Sequence, residues 1–177
     1  IARRQRQMCI RDRAIHGLYL MGSLGTLAQT DQSDMDVWLC HAPGLDDQAL
    51  ANLRKKCRRL ETWAAGEGSE AHFFLIDAQR FAQGERALHC DVDDFVNAQH
   101  SLLLDEFYHT AIWLGGRTPL WWWVPAYEEA RYGEFIQALE AQRLIPADEV
   151  IDLGHLAHIP AAEFLGAGLK QLFKGIE

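Results

Sequence analysis

The chain is poor in cysteine, and the four it has (Cys9, Cys40, Cys57 and Cys90) never stand at C-x-x-C spacing. That excludes a zinc knuckle and a dithiol redox pair, and leaves reduced thiols as the expectation. No apolar run approaches the roughly 20 residues a membrane-spanning helix needs, and no signal-peptide pattern opens the chain. A soluble, cytoplasmic protein with no membrane insertion is expected. Positive charge is short as well. Lys and Arg number 17 against 25 Asp and Glu, a formal net charge of −8. A nucleic-acid reader needs a basic face, so no nucleic-acid partner is expected. Internal repeats and low-complexity tracts are missing too.

What is present is enough apolar material for a core: 49% of 177 residues, the ordinary globular share. The length suits one large domain or one and a half small ones. Residues 15–21 read as a short strand stopped by Gly22, and residues 34–41 as a second strand stopped by Ala42-Pro43-Gly44. Residues 46–65 read as a helix whose buried stripe is Leu50, Leu53, Cys57, Leu60 and Ala64. Asp46 and Asp47 suit its first turn. Residues 70–77 form a third, mostly apolar strand, and 78–94 read as irregular. A second helix is expected over 95–114, with Val96, Leu103, Phe107 and Leu114 on one face. Residues 120–125 are a short apolar strand or extended segment. Two further helices, 127–143 and 160–176, follow.

This order predicts an α/β (α+β) fold: a small mixed sheet with helices on one side, then a helical segment. The boundary falls near Val124–Ala126, giving a core over 14–125 and a helical part over 126–177. Residues 1–13 are set aside as non-native or disordered, because Arg6 to Arg13 resemble translated sequencing-adapter sequence. Ile1 is not an initiator methionine and the last apolar stripe ends without a stop signal, so the chain reads as a fragment of something longer.

The chemistry gathers at Gly22-Ser23 and Asp34-x-Asp36. Side chains at i and i+2 of a strand share a face, so Asp34 and Asp36 stand side by side. Two carboxylates that close repel unless a cation lies between them. Mg²⁺ (or Mn²⁺) is the fitting ion, since it takes one or two carboxylates and completes its shell with substrate phosphates. A Gly-Ser turn offers backbone N–H groups and a hydroxyl to those phosphates. A lone D-x-D is more often a turn or cap. Here Gly-Ser, a ten-residue gap and apolar flanks resemble the signature of the polymerase-β-like nucleotidyltransferases, which implies their fold.

The surrounding blocks narrow it. Tyr19-Leu20-Met21-Gly22-Ser23, Gln29, and Ser33-Asp34-Met35-Asp36-Val37-Trp38-Leu39-Cys40-His41 closely resemble the catalytic domain of class I adenylate cyclases. So do Lys56-Cys57, Leu60-Glu61-Thr62-Trp63, Phe73-Phe74-Leu75-Ile76-Asp77, Leu102 to Tyr108, Val124-Pro125, Asp152-Leu153-Gly154 and the stretch to Lys174. The resemblance covers nearly everything after Gly17. It implies conversion of ATP to cyclic AMP and pyrophosphate, with the ribose 3′ oxygen attacking the α-phosphorus. Asp34 and Asp36 would hold metal, and Gly22 and Ser23 the β- and γ-phosphates. A regulatory C-terminal region responsive to sugar phosphotransferase-system components, which family members carry, is not in this sequence.

Other assignments are weaker. Glu70, at the start of the strand expected beside Asp34, is the candidate third carboxylate, as a metal ligand or acceptor of the 3′ proton. Trp38 shares the aspartates' face and either packs beneath the site or shapes the adenine pocket. His72 is expected to be a packed, hydrogen-bonded histidine, and His41 an exposed one. Lys174, a helical turn from Lys170, is the candidate triphosphate cation, with Arg117 behind it. The basic run from Arg54 to Arg59 is expected to be a solvated face, and Trp121-Trp122-Trp123 a packing element. Two other readings share the same site residues: a nucleotidyltransferase passing a nucleotide to a separate acceptor, and a non-catalytic nucleotide-sensing module.

Overall fold

A computed structural model describes residues 14–22, 24–25, 27, 29–30, 33–84, 88–89, 100–156, 161 and 164–165. Residues 1–13, Ser23, Lys170, Lys174 and most of the helix expected over 160–176 lie outside them, as does the start of the one expected over 95–114.

Strands β1 (Ile15–Met21), β2 (Met35–His41) and β3 (Ala71–Asp77) form the centre of a five-stranded sheet. Its order is β4-β3-β2-β1-β5, where β4 is Leu88–His89 and β5 is Ile112–Gly116. The β2–β3 pair is parallel and the other pairs are antiparallel, so the sheet is mixed as expected. A parallel pair needs a crossover, and helix α1 (Asp47–Gly66) supplies it. The Asp46 side chain caps α1, accepting the Ala49 N–H at 2.7 Å.

The sheet is covered on both faces, not on one. Leu53 and Cys57 of α1 pack against Leu39 and Leu75. On the opposite face, Leu104, Phe107 and Tyr108 of α3 (His100–Thr110) pack with Tyr19, Trp38, Cys40, Phe74 and Ile76. The burial pattern shows why: Val37, Trp38, Leu39 and Cys40 are all buried in succession, and a strand buried on both sides needs two covers.

Several elements differ from the sequence expectation. Leu60 is 48% exposed. In its place Glu61 turns inward, and its Oε1 accepts the Phe73 N–H of β3 at 2.9 Å. The second long helix stops at Thr110, and Ile112–Gly116 pairs with β1 as an edge strand. Residues 78–94 contain a short helix α2 (Ala78–Ala82) as well as β4; Asp77 caps α2 by accepting the Gln79 and Arg80 N–H groups. Residues 120–125 begin as a 3₁₀ turn, Leu120–Trp123, and a second 3₁₀ turn (Ala126–Arg131) precedes α4 (Tyr132–Ala141).

A parallel two-stranded ladder, β6 (Thr118–Pro119) with β7 (Val150–Ile151), closes a small core of Leu120, Tyr132, Ile136 and Val150. Ile151 and Leu153 return to the main core beside Trp38 and Phe107. Of the tryptophan run only Trp121 packs against the core as expected; Trp122 and Trp123 are 37% and 49% exposed. Trp121 stacks on Tyr108 at 4.6 Å, and Trp122 Nε1 donates to the Tyr108 carbonyl at 2.9 Å. Among the described residues no helix is long and apolar enough to cross a membrane.

Candidate functional site

The antiparallel register of β1 and β2 places Met21 opposite Asp36. The next residue, Gly22, therefore turns beside the Asp36 carboxylate. Its φ is +88°, a conformation that costs other L-residues roughly 1–2 kcal/mol. A Cβ on Gly22 would lie 3.7 Å from Asp36 Oδ2. Farther along the loop, the Gly25 N–H donates to Gln29 Oε1 at 2.8 Å. The Thr30 N–H donates to Ser33 Oγ at 2.9 Å and the Ser33 N–H to the Thr30 carbonyl at 3.1 Å, shaping the entry to Asp34. Ser23, expected to hold phosphate, is outside the described residues.

Strand β3 brings the next groups. Asp36 stands opposite His72, and the Met35 N–H donates to the Glu70 carbonyl at 2.9 Å. Glu70 thus enters beside the aspartates, as its place in the sequence suggested. Its carboxylate, however, engages His72: Nε2 lies 3.0 Å from Glu70 Oε1 and 4.0 Å from Asp34 Oδ2. His72 is the link between the two acids. Alternation along β3 put it on the face of Glu70, but only the register shows that it is the residue opposite Asp36.

The donor set suits a hard divalent cation. Asp34 and Asp36 offer carboxylate oxygens, and Gly22 leaves the space beside Oδ2 clear of a side chain. Among the described residues no group of three His, Cys, Asp or Glu side chains forms a metal cage. An ion here would complete its shell with phosphate and water oxygens, which is how Mg²⁺ is held with nucleotides.

Trp38 is 3% exposed, stacked on Phe107 at 4.7 Å and edge-on to Phe81 at 5.2 Å. Of its two readings, this position matches the indole packed beneath the site, because stacking on a base would require opening the core. His41, expected to be exposed, is 5% exposed, and its Nδ1 lies 2.8 Å from the Ala42 carbonyl.

Arg117 sits at the wrong end of the sheet for a triphosphate. Its N–H donates to the His16 carbonyl at 2.7 Å, next to the Ile15–His41 pair. Asp36 and His41 are five strand residues apart, about 16 Å. Burial, then Arg117 and His41, hold the His16 imidazole below its ordinary pKa of 6.5, with Asp77 opposing. Burial also pushes the Tyr19 hydroxyl and Cys40 thiol far upward, so neither is a nucleophile near neutral pH. Lys55, Lys56, Arg58 and Arg59 are exposed on α1, the solvated face expected of them. Lys174 is outside the described residues.

Residues 1–122 match the family described as the adenylate cyclase NT domain. Proteins named adenylate cyclase from Salmonella typhimurium and Escherichia coli (strain K12) are each 44% identical over 163 residues. One from Proteus mirabilis is 42% identical over 166 residues. Each alignment covers 92% of this chain but 19% of the relative, so the chain spans about a fifth of their length. A solved toxin–antitoxin structure with AMP-PNP has a TM-score of 0.33 at 18% identity, covering 81% of this chain and 91% of that one, a likeness too slight to bear on function.

Proposed function

The chain belongs to the adenylate cyclase NT-domain family, and from that membership we propose that it is the catalytic part of an enzyme converting ATP to 3′,5′-cyclic AMP and pyrophosphate. The observation that carries the reading is the placement of the Gly22 turn against the Asp36 carboxylate, with Asp34 two residues before it.

The reaction forms an O3′–Pα bond and breaks the bond from Pα to the bridging oxygen, which leaves with pyrophosphate. The 3′ hydroxyl gives up one proton. Such a transfer asks the protein for position and charge compensation rather than for a covalent intermediate. The backbone turn at Gly22, at a positive φ that favours glycine, leaves its N–H and the space beside Asp36 Oδ2 for a phosphate. Asp34 and Asp36 would be the ligands of Mg²⁺ or Mn²⁺, which when bound offsets phosphate charge and makes the 3′ hydroxyl more acidic. Glu70 is the proposed acceptor of the 3′ proton, with His72 holding its carboxylate. Asp34→Asn and Asp36→Asn keep the shape and remove the charge. Each should lower cyclic AMP formation by about 100-fold or more in the intact protein that carries this chain. Unchanged turnover in both variants would sink the assignment.

A further inference from the structure

A cavity of about 380 Å³ opens between the C-terminal half of α3 and the two 3₁₀ turns, lined by Asp105, His109, Trp121, Val124, Glu129 and Leu156, with the exposed Ala126 also in its lining. Its place in the fold ties it to the phosphate turn. Helix α3 ends at Thr110, and Ile112 pairs with Leu20, one residue before Met21 and its partner Asp36. A Cβ on Gly25 would come within 2.7 Å of Ile112 Cδ1, so Gly25 lies against the start of β5. His109 is three residues before Ile112, at most about 11 Å along the chain. Cavity and phosphate turn therefore occupy the same end of the sheet.

The lining has the chemistry of a nucleoside site. Trp121, backed by Tyr108 at 4.6 Å with an interplanar angle of 13°, makes an aromatic wall, and Val124 and Leu156 add apolar surface. The polar groups are of both kinds: Trp121 Nε1 is a buried donor with no hydrogen-bond partner among the described residues. Asp105 and Glu129 present carboxylates. His109 Nδ1 lies 2.9 Å from the Asp105 carbonyl and 3.3 Å from Asp105 Oδ1, so the imidazole and this carboxylate form one polar wall. A base and ribose offer the matching parts: a flat apolar body carrying N–H and O–H donors for the carboxylates and ring-nitrogen acceptors for the indole N–H. The volume lies within the roughly 300–1,000 Å³ of small-molecule pockets. We propose that this cavity receives the nucleoside end of the nucleotide whose phosphates lie at Gly22, an inference that rests on the nucleotide reading of that turn.

The test separates the two ends of the ligand in the intact protein. ATP and inorganic tripolyphosphate are titrated calorimetrically, with Mg²⁺, into wild type, Ala126→Trp and Glu129→Gln. Ala126 is exposed, so a large side chain there fills the cavity mouth without disturbing the core. Both variants should weaken ATP at least fivefold and leave tripolyphosphate unchanged. ATP affinity unchanged in both, or both ligands weakened alike, would overturn the cavity assignment. If tripolyphosphate and ATP bind wild type and Asp36→Asn equally, the parent reading fails instead, and the cavity inference with it.

Discussion

Gly22 and Asp36 stand side by side: a methyl group added to the glycine would lie 3.7 Å from the Asp36 Oδ2 oxygen. The contact exists because β1 and β2 are antiparallel with Met21 opposite Asp36. Gly22→Ala would combine a side chain in the ligand's path with a backbone penalty of about 1–2 kcal/mol at positive φ. The expected outcome is a folded protein by circular dichroism with an unfolding free energy lowered by that amount and a KM for ATP raised severalfold. An unchanged KM would show that phosphate does not pass over Gly22.

Trp38 tests whether the indole belongs to the core. It is stacked on Phe107 and nearly inaccessible. Trp38→Ala should cost about 3–5 kcal/mol in urea unfolding, the usual range for emptying a large aromatic site. Trp38→Phe should recover a good part of it and retain ATP affinity. Loss of ATP affinity in Trp38→Phe at near-normal stability would move the indole into the binding site.

His72 joins Glu70 to the neighbourhood of Asp34. His72→Ala frees the Glu70 carboxylate, and kcat should fall about 10- to 100-fold, the range seen when a residue orienting a catalytic group is removed. His72→Gln keeps an N–H donor and should restore much of the rate. Equal kcat in wild type and His72→Ala would remove His72 from the account.

His16 sets a pH dependence at the far end of the sheet. Its folded pKa lies below the ordinary 6.5 because burial and the nearby Arg117 and His41 disfavour its charge. The unfolded chain therefore binds the proton more readily, and stability falls as pH drops below 6.5 until the folded pKa is passed. His16→Gln should flatten that part of the thermal-midpoint profile and leave the profile above pH 7 unchanged. An identical acid slope in the variant would contradict the assignment.

The central elements were legible in the sequence because local signals agreed there. Asp46 marked the start of α1, Gly22 ended β1, and the apolar run Phe73 to Ile76 marked β3. Ile112–Gly116 was not legible. Leu103, Phe107 and Leu114 fall at spacings a helix would use, and only pairing with Leu18, Tyr19 and Leu20 makes the last part a strand. The second cover of the sheet was present in the consecutive apolar residues Val37 to Cys40, which argue for burial on both faces.

At the site, Gly22, Asp34 and Asp36 were legible from spacing, and Glu70 was placed near them by its position at the start of the strand expected beside Asp34. The hydrogen bond that draws Glu70 to His72 depends on which rotamers two exposed side chains adopt, and no sequence period encodes that. Arg117 failed for a different reason. Its charge suited a triphosphate, but the direction of β5 after α3 carries it to the end of the sheet away from Asp36.

The most direct test is to give the intact protein ATP and Mg²⁺ with no other acceptor and to quantify both products by mass spectrometry. The account predicts cyclic AMP and pyrophosphate in equal amounts, with both lost in Asp36→Asn. Pyrophosphate released only when a separate acceptor is added, with no cyclic AMP, would contradict it.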